Sequence, residues 1–572
     1  MRLAMKFPRF VFFLSALIVF LPAAWAQPQP NFAPHAMVAA ANPLAAQAGL
    51  QMLKAHGSAV DAAIATQLVL NLVEPESSGI GGGAFMLVYD PKSGKTTSFD
   101  GREVAPASAT PGMFLDGNGN ARAHGDPIPG GLSVGIPGVV GMLELAHQKY
   151  GKLPWAQLFE PAIRIADEGF PIGPKLARTI AGAARMKNMP DIARMFFHAD
   201  GTPMGEGEIL KNPELAQTFR AIARNGSKAF YTGDIAAAIV NAVQHAPGKN
   251  QGGMTLDDLA GFQARELEPV CGDYRVWHLC SMGPPSSGGV AIIQILGMLQ
   301  RFSSADLKPN SLSETHLFTQ ASRLAYADRV KYLGDASVVA VPIKGLLDKS
   351  YIAGRAALID TAKDMGTAQA GNPPEKHAAY APQISPENYG TSHMTIVDET
   401  GEVIAMTTSI ETTFGAEIAA KGFILNNTLT DFSFQPMRDG VPVANAPAAG
   451  KRPLSAMSPT IVFDQNGHFT LGIGSPGGPS IIEYVAQSLV AILDGGLTPL
   501  KAISLPRHLN TNGITTLEAS DWASQMAPQL TAMGHTVRTA QGEASGLHVI
   551  QKVNGGYLGG ADPRRDGVVV GE

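Results

Sequence analysis

The stretch Gly390-Thr391-Ser392-His393-Met394-Thr395-Ile396-Val397-Asp398-Glu399-Thr400-Gly401-Glu402-Val403-Ile404-Ala405-Met406-Thr407-Thr408-Ser409 decides how the rest of the chain is read. Residues 392–398 and 402–408 are apolar-rich and β-branched, and Glu399-Thr400-Gly401 separates them, the pattern of a β-hairpin. A turn centred on Thr400 sets equally distant positions opposite one another, so Thr391 should face Ser409. Opposed residues hold their Cβ atoms about 4.5–5.5 Å apart, which brings two hydroxyls together at the open end of the hairpin. A surface Thr/Ser pair on an ordinary sheet fits the same pattern.

What precedes the hairpin is different in kind. Residues 361–390, with Gly371-Asn372-Pro373-Pro374, Pro382 and Pro386, read as a polar, helix-poor connector, so the sharpest internal boundary lies close to Gly390-Thr391. Residues 135–360 read mainly as helix, with 3.6-residue periodicity over 143–149, 235–244 and 313–332. Nearer the start, Pro43 after Asn42 opens a helix that stops at Gly57, and Ser58 with Asp61 caps a second through Leu72. Gly79-Ile80-Gly81-Gly82-Gly83 follows that helix and precedes a strand over 84–89. A dinucleotide loop needs strand, glycines and helix in that order, so these glycines read as a close-packing turn.

The 572 residues include 43 basic and 48 acidic side chains, a net charge of −5; 45% are apolar and 16% charged. The charged share is below the roughly 25% of an average soluble protein, which argues for a large core, and the near-neutral balance excludes nucleic-acid binding by bulk positive charge. Arg2, Lys6 and Arg9, the apolar run 10–21 and Ala24-Trp25-Ala26 form a secretory signal over residues 1–26, which places the protein in the periplasm or outside the cell. No later stretch reaches 18 uncharged apolar residues, so no membrane span is expected after signal removal. The only two cysteines, Cys271 and Cys280, flank a short extended segment; an oxidising compartment permits a bond between them, and two free buried thiols is the alternative.

A second hairpin is expected over 460–463 and 468–473. It leads into Gly474-Ser475-Pro476-Gly477-Gly478 and a helix from Pro479 to about Leu493. The N–H groups of Gly477 and Gly478 then sit just before a helix start, a position that favours negative charge. No His-Glu-x-x-His spacing is present, which speaks against a zinc hydrolase, and Gly474-Ser475-Pro476-Gly477-Gly478 does not fit the Gly-x-Ser-x-Gly turn of an α/β-hydrolase.

Together these pieces resemble the γ-glutamyltranspeptidases (glutathione hydrolase proenzymes) of the N-terminal nucleophile hydrolases. The resemblance rests on Glu76 to Gly83, Gly101-Arg102-Glu103-Val104-Ala105-Pro106, Pro284-Pro285-Ser286-Ser287-Gly288-Gly289, Thr391-Ser392-His393, Phe423 to Asn427 with Asp431-Phe432-Ser433, Arg452-Pro453-Leu454-Ser455, and Gly474 to Gly478. It implies a four-layer αββα sandwich built jointly by residues 27–390 and 391–572 of a precursor cut at Gly390–Thr391, the two fragments remaining together as a heterodimer. It further implies that Thr391 is the nucleophile, with Ser409 supporting it and Gly477 and Gly478 donating to the oxyanion. Arg102 and Ser455 match positions that hold the substrate carboxylate, and Asp431 one that holds its ammonium. No cofactor or metal is called for; the partners are a small γ-glutamyl donor and an amine or water acceptor.

Four positions depart from the family pattern. Glu411 stands where many members have Asn, Thr428 where Glu or Gln is usual, and Ala456 and Pro479 each replace a serine. The segment between Asp431 and Ser455 is shorter than in members with a lid loop, which suggests an open site. Glu411 and Thr428 are counted with the substrate-binding residues. An acylase or poly-γ-glutamate enzyme of the same fold, acting on bulky acyl donors, is one alternative, and a non-catalytic exported binding protein is another.

Overall fold

A computed structural model describes residues 31–383, 390–541 and 544–572; the export signal expected over residues 1–26 lies outside them, as does part of the connector before Gly390. The decisive hairpin forms over Thr391–Val397 and Val403–Ser409, with Thr391 opposite Ser409 and Val397 opposite Val403. Both of its faces are buried. Met394, Ile396, Ile404 and Met406 pack on the helix side, while Val397, Val403 and Ala405 face a second sheet. Side chains alternate along a strand, so a strand apolar on both sides must be covered on both.

The hairpin is the centre of a seven-stranded antiparallel sheet ordered Val568–Gly571, Met37–Ala40, Thr391–Val397, Val403–Ser409, Gly83–Asp90, Lys95–Gly101, Arg265–Leu267. The second antiparallel sheet runs Asn31–Ala33, Gly556–Ala561, His548–Val553, Phe469–Gly474, Thr460–Phe463, Trp277–Ser281, Val270–Tyr274. Leu87 and Ala405 of the first meet Ile461 and Ile550 of the second in the inter-sheet core. Helices Pro43–Lys54 and Ala59–Val73 cover the outer face of the first sheet; Gly288–Leu299, Leu312–Tyr332 and Ile481–Leu493 cover that of the second. The result is the four-layer αββα sandwich.

Helix Ala59–Val73 begins as its sequence dictates: Ser58 Oγ accepts from the Asp61 N–H and Asp61 answers the Ser58 N–H, a reciprocal cap. The glycine run packs closely, since a Cβ on Gly82 would lie 2.0 Å from the Ser409 carbonyl oxygen. Within the mainly helical 135–360, three short strands over 265–281 end both sheets, and the segment between Cys271 and Cys280 is extended as expected. Polar Asp273 and His278 interrupt the alternation there. Cys271 and Cys280 are direct cross-strand partners and form a disulfide of 2.10 Å. The second hairpin starts its return strand at Phe469 after a bulge, and Pro479 lies in a 3-10 turn, Gly478–Ser480, before the α-helix proper. Among the described residues no helix is long and apolar enough to cross a membrane.

Candidate active site

Strand alternation puts Thr391, His393, Thr395 and Val397 on the inter-sheet face. His393 Nδ1 lies 2.9 Å from Thr407 Oγ1, and Thr395 Oγ1 donates across the sandwich to the His548 carbonyl. Thr391, at the end of this row, is where the hairpin opens. It is only 4% exposed. Its Oγ1 lies 3.2 Å from Ser409 Oγ, which in turn donates to the Gly390 carbonyl at 2.5 Å and accepts from the Glu411 N–H at 2.8 Å. Gly390 is pressed against the 411–412 backbone: a Cβ there would fall 2.5 Å from the Glu411 carbonyl oxygen.

Thr391 and Ser409 open onto a small cavity whose charged lining is Arg102, Arg329, Glu411 and Asp431. Arg102 follows strand Lys95–Gly101 directly. Its Nε donates to the Pro453 carbonyl at 3.2 Å and Nη2 to that of Leu454 at 3.1 Å, and Nη2 also meets Asp431 Oδ2. Asp431 ends the 3-10 turn Thr428–Asp431, and Asn445 holds its carbonyl at 2.7 Å. Ser455 also lines the cavity. Its main chain is gripped by the proline–serine–glycine segment: Ser455 N donates to Pro285 O, and Ser287 donates to Ser455 O through both N–H and Oγ.

Burial dominates the electrostatics. It works against the charge of Arg102, but Glu103, Asp431 and Glu411 outweigh it and hold the guanidinium's pKa above its usual value. Glu411 is pushed well above the ordinary carboxylate range, first by burial and then by Asp431. Burial also raises Glu103, against the pull of Arg102.

The loop after strand Phe469–Gly474 reaches the same cavity from the second sheet. Gly477 and Gly478 have φ of 131° and 56°, in the region that favours glycine, and a Cβ on Gly477 would meet the Tyr484 ring at 2.4 Å. Among the described residues no acceptor takes either N–H. Gly478 lines the cavity, and Gly477 precedes it in the loop.

The sequence matches the γ-glutamyltranspeptidase family profile over residues 45–572. It is 38% identical to the glutathione hydrolase proenzyme of Bacillus subtilis (strain 168) over 547 residues, covering 94% of this chain and 91% of that one. The glutathione hydrolase proenzyme of Escherichia coli (strain K12) is 37% identical, with 94% and 91% covered. The chain belongs to the γ-glutamyltranspeptidase family. Among solved structures, the cephalosporin acylase of Bacillus halodurans superposes with a TM-score of 0.83 at 28% identity, covering 97% of this chain and 99% of that one. The protein is therefore a γ-glutamyltransferase/glutathione hydrolase with the N-terminal nucleophile hydrolase fold.

Within this family site, Thr391, Ser409, Arg102, Glu411, Asp431, Ser455 and Gly478 share one cavity. Thr428 does not join them. It is fully buried, and its hydroxyl donates to Glu103 Oε1 at 2.7 Å; being shorter than Glu or Gln, it supports the neighbour of Arg102 from behind. Sequence reasoning missed Arg329, on helix Leu312–Tyr332, which lines the cavity and donates from Nε to Ser287 Oγ at 2.8 Å. Its one local signal is a buried arginine on a helix face that also carries Arg323 and Tyr326. Among the described residues the one group with metal-ligand spacing is Cys271, His278 and Cys280, and the disulfide already occupies both sulfurs.

Proposed function

We propose that the protein is exported, loses residues 1–26, and cuts itself at Gly390–Thr391 to become a two-fragment γ-glutamyl hydrolase and transferase. The observation that carries this reading is the Thr391–Ser409–Gly390 contact at the mouth of the Arg102/Asp431 cavity. Ser409 already polarises the Gly390 carbonyl. Thr391 Oγ1 attacks that carbonyl carbon, the peptide nitrogen leaves, and water hydrolyses the resulting ester. The cut frees an α-amine on Thr391, whose ordinary pKa of about 7.7–8.0 suits it to take the proton of its own hydroxyl.

In the catalytic cycle Thr391 Oγ1 attacks the donor's γ-carbonyl while the N–H groups of Gly477 and Gly478 receive the negative oxygen. The amine leaves with a proton, and water or a second amine resolves the γ-glutamyl ester. Arg102 and Asp431 are in contact with one another. A bound zwitterion takes the place of that contact, its carboxylate on Arg102 and Ser455 and its ammonium between Asp431 and Glu411. Each pole then gains a partner of opposite sign.

Denaturing gels with N-terminal sequencing test the maturation step. Two fragments are expected, the smaller beginning at Thr391, and Thr391→Ala should stay as one chain with at least about a thousandfold less turnover. Cutting of that variant at the same bond would reject the assignment. A second reading, use of bulky acyl donors, is favoured by an open cavity of about 720 Å³ whose lining includes Phe432, the residue after Asp431, with Phe434, Met437 and Arg438. Rates on γ-glutamyl-anilide and glutaryl-anilide separate the two, and absence of turnover of the former would favour the acylase reading.

A further inference from the structure

Behind Thr391, on the side away from the substrate cavity, lies a cation that the family motifs do not account for. Arg565 follows the strand Gly556–Ala561 and reaches back along the sandwich. Its Nη1 donates to the Thr391 carbonyl oxygen at 3.0 Å and its Nη2 to the Ala544 carbonyl at 2.8 Å. Room for this path exists because residue 546 is glycine: a Cβ there would lie 2.6 Å from Arg565 Cδ. Both acceptors are neutral, and among the described residues no carboxylate lies within 4.0 Å of the guanidinium. The neighbouring acid, Asp562, is instead paired with Arg507 and Arg564.

We propose that Arg565 is a positioning residue that keeps the liberated α-amine of Thr391 in its neutral, proton-accepting form. The inference rests on Thr391 being the processed nucleophile. The nitrogen and carbonyl oxygen of one residue are at most about 3.6 Å apart, so the guanidinium stands within roughly 6–7 Å of the amine. A charge held there, in a site shielded from water, disfavours a second positive charge by the equivalent of about one to two pH units at an effective dielectric near 20. The hydrogen bond to the carbonyl also fixes the main chain that carries the amine.

Of the other charged groups around Thr391, Glu74 also feels Arg565: against the upward push of burial, Lys175 and then Arg565 hold its carboxyl below the usual value. Ser392 Oγ donates to Glu74 Oε2 at 2.6 Å, and Lys175 neutralises that carboxylate at 2.7 Å while reaching Glu76 at 2.8 Å. Asp566 Oδ2 accepts from the Lys175 main chain. On the cavity side Arg102 is in contact with Asp431 and lies 3.5 Å from Glu103, and Glu411 and Arg329 complete the lining. The nearby histidines are uncharged at neutral pH: burial pushes His548 down to about 4 and His393 well below its usual value. Arg565 is thus the cation attached to the nucleophile's own main chain.

The test uses processed full-length enzyme and compares Arg565→Gln with Arg565→Lys. At saturating donor, kcat is measured against pH, which reports groups titrating in the enzyme–substrate complex. Arg565→Gln should move the acid limb of kcat upward by about one unit, lowering kcat up to tenfold at pH 7 and restoring it at pH 9, with little change in KM. Arg565→Lys, which keeps the charge, should hold the limb near the wild-type position. An unmoved limb in Arg565→Gln, or the same loss at every pH, would overturn the proposal. Failure of both variants to process would overturn it too, by assigning Arg565 to maturation. Absence of an N-terminal Thr391 in the wild type would instead refute the underlying nucleophile reading.

Discussion

At Glu411 the chain puts a carboxylate on a backbone with φ of 83°, beside Asp431 and within reach of Arg102. A non-glycine residue there costs on the order of 1 kcal/mol or more and persists only because its surroundings impose it. Burial and Asp431 keep Glu411 protonated to a higher pH than an ordinary carboxylate. Only its ionised form adds a negative charge opposite a substrate ammonium. KM for a γ-glutamyl donor is therefore expected to fall as pH rises through the Glu411 titration, by up to about tenfold per unit. In Glu411→Gln that slope should flatten while the acid limb of kcat stays in place. KM–pH profiles at constant ionic strength check this, and an unchanged slope would count against it. At this scale the sequence showed Arg102, Thr391, Ser409 and Asp431 because they stand in short motifs. Arg329 and Arg565 stayed hidden: what makes each matter is a neighbour far away in the chain, Ser287 for one and Thr391 for the other.

Helix Ala59–Val73 and the central hairpin are each legible by themselves, from the Ser58/Asp61 cap and from two-residue alternation. How they dock is not. The first turn of the helix points at the hairpin's turn, where the Ala59 and Val60 N–H groups donate to Asp398 Oδ2 and Glu402 Oε1, each at 3.3 Å. An N-terminus favours negative charge, yet two carboxylates share this one, and Lys152 lies 3.5 Å from Asp398. Burial, and then Asp398, push Glu402 up to about 8. In the unfolded chain it titrates near 4.3. Between those values the folded state holds a proton that the unfolded state has lost, so stability declines as pH rises through this window and the loss is complete above about 8. Glu402→Gln, which mimics the protonated acid, should have little effect near pH 4 and stabilise the protein by about 1–3 kcal/mol at pH 9. Thermal or denaturant unfolding at the two pH values measures the difference. A variant destabilised equally at both would show that the carboxylate is needed as such.

For the whole molecule, the break near residue 390 follows from composition and periodicity and the four-layer sandwich from the family resemblance, but strand order follows from neither. Met37–Ala40 is four residues, Met-Val-Ala-Ala, and nothing local in them specifies Thr391–Val397 on one side and Val568–Gly571 on the other. The partners are chosen by which faces remain apolar once the sandwich closes. That order determines what a cut at Gly390–Thr391 leaves behind. Both sheets interleave the two segments: Met37–Ala40 lies between strands that follow the cut, and Thr460–Phe463 pairs with Trp277–Ser281, which precedes it. The inter-sheet core likewise takes Leu87 and Cys280 from one segment and Ala405 and Ile461 from the other. Neither fragment retains a sheet with both neighbours of every strand, so neither has a complete core of its own. Processed enzyme is therefore expected to elute as a single species under native conditions and to separate only on denaturation. Probes placed in the two fragments, such as Trp155 and Trp522, should report coincident transitions. Tryptophan fluorescence of single-tryptophan variants, compared with far-UV circular dichroism across a urea series, tests this. Two separated transitions would mean that one segment holds a core independent of the interleaved strands.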